Sequence, residues 1–135
     1  MTRSAGLGPF LTAALLLSAM FLGATIALAQ DADGETAYNN ACRTCHSMKP
    51  GDNRLGPSLS GVVGAKSGAQ EGFGYSAALK GGQITWDEAT LDKFITNPDG
   101  VAPGNNMKPF TGISDAAQRA KIIGFLKSGG GAAVD

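Results

Sequence analysis

The sequence is poor in the side chains from which metal and redox sites are usually built. It has one histidine, His46, and two cysteines, Cys42 and Cys45. A structural zinc site takes about four ligands, and no carboxylates stand at a spacing that would complete one. A thioredoxin-like dithiol would need a βαβ pattern around it, which is absent. Eleven basic residues balance eleven acidic ones, so a nucleic-acid partner is excluded on charge.

These three scarce residues stand together in one pentapeptide, Cys42-Arg43-Thr44-Cys45-His46. Two thiols three positions apart can add across the vinyl groups of a haem, and an imidazole directly after them can reach the iron. The pattern therefore predicts one haem c, bound covalently through Cys42 and Cys45, with His46 as an iron ligand. Both thiols are then consumed, so none is left for a disulfide. A chain of this size buries only a modest core, and we expect it to need the haem for folding.

The N-terminal stretch predicts export. Arg3 is followed by an uncharged apolar run from Leu7 to Ala29 that ends in Ala27-Leu28-Ala29, a small-x-small cleavage site. We interpret residues 1–29 as a signal peptide and residues 30–135 as a single domain delivered to the periplasm. The alternative is a retained membrane anchor, because the run is just long enough to span a bilayer.

Helical patterns occupy three segments of the exported domain: Asp31 to Ala41, Thr85 to Asn97, and Ser114 to Ser128. In the second, Thr85 and Glu88 form a predicted capping box, and the helix must stop before Pro98.

The last predicted helix has an apolar stripe of Ile122, Phe125 and Leu126. This stripe needs a partner. The face of the first helix that carries Gly34 and Tyr38 is the natural one.

Two stretches rich in glycine and proline, residues 48–74 and 98–112, show no periodicity. The Pro57 carbonyl is a candidate acceptor for the second ring nitrogen of His46, although a plain turn explains that proline equally well. Met107 is the best candidate for the opposite iron ligand, because Met48 lies too close to His46 to reach the other face. A vacant or water-filled sixth position is its main rival.

Taken together, these residues resemble the class I cytochromes c of the mitochondrial and bacterial periplasmic electron-shuttle type. The resemblance covers Gly34 to Leu126. The positions that carry it are Gly34, Tyr38, Cys42, Cys45, His46, Gly56-Pro57, Gly72 to Tyr75, Ile84 to Trp86, Asn97-Pro98, Pro103-Gly104, Met107 and Phe125-Leu126.

The resemblance implies an all-α fold of about four helices around the haem, with the N- and C-terminal helices crossed. It implies that His46 and Met107 are the iron ligands and that Pro57 accepts the His46 hydrogen bond. It also makes Tyr75 and Trp86 donors to a buried haem propionate, which is costly to bury without donors.

Three departures from the family pattern affect the haem surroundings. Ala65 replaces an arginine beside the propionates, so a charge partner is missing unless Lys66 substitutes. Phe94 replaces a tyrosine that approaches the methionine sulfur and cannot donate a hydrogen bond. Asn105 replaces a threonine that contacts the second propionate, and we expect Asn105 to bind there.

The resemblance implies a periplasmic one-electron carrier that is not an enzyme. It would act as a monomer between a quinol-oxidising cytochrome complex or dehydrogenase and a terminal oxidase or reaction centre. Membrane contact would be transient and through these partners. A membrane-anchored cytochrome subunit of a larger complex is the alternative if residues 1–29 are retained. A peroxidase or haem sensor is disfavoured, because no second histidine is available as a distal acid or base.

Overall fold

The structure is a computed structural model that describes residues 32–130. The predicted signal peptide, residues 1–29, lies outside the described residues. Among residues 32–130, no helix combines the length and apolar character needed to cross a bilayer.

The described part of the chain contains four helices joined by long irregular loops. They are α1 at residues 32–41, α2 at Glu88–Thr96, α3 at Pro98–Val101 and α4 at Ala116–Lys127. The β structure recorded between residues 32 and 130 is an isolated antiparallel bridge between Lys66 and Thr85. The predicted all-α fold is therefore confirmed.

The start of α2 differs from the predicted capping box. The N-cap is Asp87, whose Oδ1 accepts a hydrogen bond from the Thr90 amide at 2.7 Å. That bond holds the pKa of the Asp87 carboxyl below its usual range. Thr85 instead lies in the β bridge, where its hydroxyl accepts from Lys66 Nζ at 2.6 Å. The predicted Thr85/Glu88 capping box is therefore wrong, because Thr85 takes part in the bridge with Lys66 and the N-cap lies two residues later, at Asp87.

The end of α2 and both ends of α4 lie where the sequence placed them, whereas α3 lies within residues 98–112, which were expected to be irregular; a four-residue helix is too short to produce a periodic pattern. Asn97 closes α2 with extended backbone and at the same time caps α3. Asp115 opens α4 by accepting from the amides of Ala117 at 2.8 Å and Gln118 at 3.1 Å. Gly129 follows α4 with a positive φ of 82°, which glycine adopts without strain.

Helices α1 and α4 cross at Gly34, as the apolar stripe on α4 predicted. A Cβ on Gly34 would lie 2.9 Å from both the Lys121 carbonyl oxygen and the Phe125 Cβ. One turn further on, the Tyr38 and Phe125 rings pack with centroids 5.2 Å apart. The missing side chain at Gly34 therefore lets the two helices approach closely.

Helix α2 packs against α4 through its buried apolar face of Leu91, Phe94 and Ile95. A half-buried ion pair reinforces the contact, since Arg119 Nε lies 2.7 Å from Asp92 Oδ1. The same guanidinium donates to the carbonyls of Ile113 and Ser114. Arg119 therefore fixes the loop that precedes α4 as well as the helix pair.

The crossing predicts the effect of one methyl group. Gly34→Ala should lower the free energy of unfolding by about 1–3 kcal/mol, because backbone and Cβ atoms must move apart. Denaturant unfolding of the haem-loaded protein measures the change.

The matched control is Gly124→Ala on the exposed side of α4, where a Cβ meets nothing within 4 Å. This variant should gain up to about 1 kcal/mol from helix propensity. Equal stability of the two variants would contradict the close crossing.

Candidate haem-binding site

An apolar cavity of about 690 Å³ is lined by residues of α2, α4 and the long loops and is partly open to solvent. Well-packed interiors contain few voids larger than a water molecule, and small-molecule sites measure about 300–1,000 Å³. The apolar side chains that line it include Leu59, Val62, Leu79, Leu91, Ile95, Ile122 and Leu126. A space of this size and character suits a large, flat, mainly apolar ligand.

One wall of the cavity is the turn that follows α1. The Cys42 amide donates to the Tyr38 carbonyl at 2.8 Å, and the His46 amide donates to the Cys42 carbonyl at 3.0 Å. This turn places Cys42, Cys45 and His46 together on the wall, with the two sulfurs not bonded to each other.

The Cys42 thiol is unsuited to dithiol redox chemistry. Burial, and secondarily the neighbouring Cys45, raise the pKa of Cys42 to about 11, whereas reactive thiols have lowered pKa values. At neutral pH the Cys42 thiol is therefore protonated, which disfavours a redox dithiol.

The His46 ring is fixed by backbone atoms of the following loop. Its Nδ1 donates to the Pro57 carbonyl oxygen at 2.7 Å, which leaves Nε2 with a free lone pair. Burial lowers the pKa of His46, and the Pro57 hydrogen bond offsets this only in part. The ring is therefore neutral and oriented, with Nε2 available to bind a metal ion, and of the two roles considered for Pro57 the structure shows the hydrogen-bond acceptor.

Met107 lines the same cavity. Its backbone amide donates to Asn105 Oδ1 at 3.0 Å, which ties the methionine to the turn before it. Two residues 61 positions apart in the sequence, His46 and Met107, thus meet around one space.

Polar groups also face the cavity. The Tyr75 hydroxyl accepts from the Gln70 amide at 3.2 Å and keeps its own proton for donation. Trp86 is buried and packs on Phe94 with ring centroids 4.8 Å apart. Lys66 lies on the lining as well. Tyr75, Trp86 and Lys66 therefore offer donors at the edge of an otherwise apolar space.

Sequence reasoning missed Ser76. Its Oγ is buried and has no hydrogen-bond partner within the described part of the chain, although the residue lines the cavity. A buried polar atom without a partner is costly. The fit to a haem rests instead on the apolar lining of the cavity and on Tyr75, Trp86 and Lys66, whose donors could bind its propionates. No local pattern distinguishes this serine from an ordinary turn residue.

The geometry does not support the predicted contact of Asn105 with a haem propionate. Asn105 is 4 % exposed and is not among the residues that line the cavity. Its Nδ2 donates to the Ala102 carbonyl at 3.0 Å and to Asp99 Oδ1 at 2.9 Å. With both amide hydrogens used and Oδ1 bound to Met107, no donor remains for a ligand.

A Cys-x-x-Cys-His turn on one wall of an apolar cavity, with a methionine also on its lining, defines a protein that binds haem covalently. Comparison with known proteins agrees. The family model described as cytochrome c oxidase, cbb3-type, subunit III, matches residues 29–126. Cytochrome c2 iso-2 of Magnetospirillum fulvum is 44 % identical over 97 residues, which is 72 % of this chain and 99 % of that protein.

Two further relatives extend the comparison. Cytochrome c2 of Rhodomicrobium vannielii is 44 % identical, covering 69 % of this chain and 74 % of that protein. The structure of cytochrome cH from Methylobacterium extorquens superimposes with a TM-score of 0.65 at 42 % identity, covering 72 % of this chain and 96 % of that one. The chain belongs to the class I cytochrome c family. It is an electron-transport protein with a haem c attached through Cys42 and Cys45.

The close contact between Gly56 and the His46 ring predicts a strong effect of adding one methyl group. A Cβ on Gly56 would lie 2.3 Å from His46 Cε1 and 2.6 Å from Nδ1. Gly56→Ala should displace the ring, break its bond to Pro57 and destabilise the fold by about 1–3 kcal/mol. The ratio of haem to protein absorbance in the purified product, with a thermal melt, measures the effect. An unchanged spectrum and melting temperature would show that the ring is not held as described. Gly124→Ala is the control, because its added Cβ meets nothing within 4 Å.

Proposed function

We propose that this protein is a one-electron carrier whose iron is held between His46 and Met107, and that it is not an enzyme. This proposal rests on the observation that the side chains of His46 and Met107 line one cavity together with Cys42 and Cys45. Bound haem supplies an iron that exchanges a single electron and whose potential depends on these axial ligands.

The chain's own contribution is to fix ligands and exclude water. Pro57 orients the His46 ring, and the turn around Asn105 fixes the backbone of Met107. If His46 and Met107 both bind the iron, no open position on it would remain for a substrate. His46, the chain's single histidine, is the proposed iron ligand, so no second histidine is available as the general acid or base of a peroxidase.

Location and partners follow from the N-terminal sequence and the family. We propose that residues 1–29 are removed on export and that the domain acts in the periplasm as a monomer. It would carry electrons from a quinol-oxidising cytochrome complex or a dehydrogenase to a terminal oxidase or reaction centre, and meet the membrane only through these partners.

A second candidate is an anchored cytochrome subunit of a larger complex. It is favoured by the family model named for an oxidase subunit and by the apolar run from Leu7 to Ala29. The mass and N-terminal sequence of the purified protein distinguish the two. A chain beginning at Gln30 in the soluble periplasmic fraction supports the carrier, and an intact chain in the membrane fraction supports the subunit.

Replacing the proposed sulfur ligand tests the site. Met107→Leu keeps side-chain volume but removes the sulfur. We expect loss of the weak sulfur-to-iron band at the red end of the oxidised spectrum and, after reduction, binding of carbon monoxide. The matched control is Met48→Leu, whose sulfur packs against the core outside the cavity lining and should leave both properties unchanged. A red-end band that survives in Met107→Leu would refute the assignment.

The charges near the cavity predict weak dependence of partner binding on salt. Arg54 pairs with Asp52 at 3.1 Å, and Lys108 pairs with Asp99 at 2.5 Å. Because these two cations are matched by anions, part of the positive field that would steer a charged partner is neutralised. The association rate with the redox partner should change less than about threefold between roughly 0.01 M and 0.15 M ionic strength.

Asp52→Asn supplies the comparison for the salt measurement. It frees the charge of Arg54 and should make the association rate more sensitive to salt if the partner is acidic. A steep fall in rate for the wild-type protein would contradict the balanced surface.

A further inference from the structure

The loop that carries Met107 is tied back to α3 by one carboxylate. Asp99 lies in α3, eight positions before Met107. Its Oδ1 accepts from Asn105 Nδ2 at 2.9 Å, and its Oδ2 lies 2.5 Å from Lys108 Nζ. Asp99 therefore binds the residue that follows the methionine and the residue two before it.

Asn105 links this carboxylate to the methionine backbone. Its Oδ1 accepts from the Met107 amide at 3.0 Å, while its Nδ2 donates to Asp99 and to the Ala102 carbonyl. A backbone amide can only donate and a carboxylate can only accept, so the two ends of the side-chain amide are assigned by their partners. The buried amide is thus held in one orientation from both sides.

The arrangement differs from the other surface ion pairs. Lys127 and Glu88 lie equally close, at 2.5 Å, with side chains 61 % and 54 % exposed, against 52 % and 57 % for Lys108 and Asp99. The Lys127–Glu88 pair joins the ends of two regular helices, which their own backbone bonds already hold. The loop from 102 to 115 has no helix or strand, so side-chain bonds there have a larger share in fixing the backbone.

We propose that Asp99 is a positioning residue for Met107: by holding Asn105 and Lys108, it keeps the methionine loop closed over the cavity and resists displacement of the sulfur. This inference rests on the proposed His46 and Met107 ligation. Asp99 does not itself touch the iron. Losing it should raise the population of open loop, and a competing ligand binds in proportion to that population.

The test uses haem-loaded protein and imidazole as the competing ligand. Imidazole is titrated into the oxidised protein while the red-end sulfur-to-iron band is followed. Asp99→Ala removes both contacts and should tighten apparent imidazole binding about three- to tenfold, a range reduced because the carboxylate is half exposed. Asp99→Asn keeps an oxygen for Asn105 but loses the charge, and should have a smaller effect.

A pair of lysine variants isolates the ion pair. Lys108→Gln should tighten imidazole binding by up to about twofold, while Lys127→Gln, which breaks the pair of equal length elsewhere, should leave it unchanged. Thermal unfolding of the same proteins separates positioning from general stability. If Asp99 positions Met107, the variants should differ in imidazole affinity by more than their melting temperatures explain.

Two outcomes overturn the inference, and they differ from failure of the proposed function. If Asp99→Ala binds imidazole within twofold of the wild-type affinity while the wild-type protein shows the sulfur-to-iron band, Asp99 has no positioning role but the Met107 ligand stands. An equal effect in Lys127→Gln leads to the same conclusion. Absence of the band from the wild-type protein would remove the Met107 ligand and this inference together.

Discussion

The structure depends on filling one large apolar cavity. Helices α2 and α4 and both glycine-rich loops turn hydrophobic side chains toward a space of about 690 Å³, and an empty space of that size would forfeit their packing contacts. A ligand that binds only the folded chain stabilises it, and a covalent link keeps that ligand permanently in place. We therefore expect folding to be coupled to haem attachment, with the irregular loops packing against the bound haem.

The two faces of the cavity are built in different ways. His46 belongs to a turn continuous with α1. Its ring donates to the Pro57 carbonyl and packs against Gly56, which has no side chain to displace it. Met107 lies in a loop without regular structure, held by side chains from its own neighbourhood and from α3. The His46 ring is thus held mainly by backbone atoms, whereas the Met107 loop depends on side chains of neighbouring residues.

Much of this could be predicted from the sequence because the signals are local. The cysteines and histidine in one pentapeptide, the stop at Asn97-Pro98 and the start at Asp115 each depend on residues within about one helical turn. The partner of α4 was also predictable, since a glycine at a helical position facing an apolar stripe indicates a close crossing. The cap of α2 was predicted wrongly: the Thr85/Glu88 spacing fits a capping box, but Thr85 lies in a bridge with Lys66 and Asp87 caps the helix.

By itself, the sequence determined the cofactor, its attachment and the helical class, because covalent chemistry and helix capping act between near neighbours. Only the tertiary structure decided which polar groups meet across the chain. It turned Asn105 away from the cavity and toward Asp99, left the buried Ser76 hydroxyl without a partner among residues 32–130, and set Arg119 against Asp92. The physical reason is that a side-chain amide, hydroxyl or guanidinium can bind several partners, and the choice among them is made by the packing of distant segments.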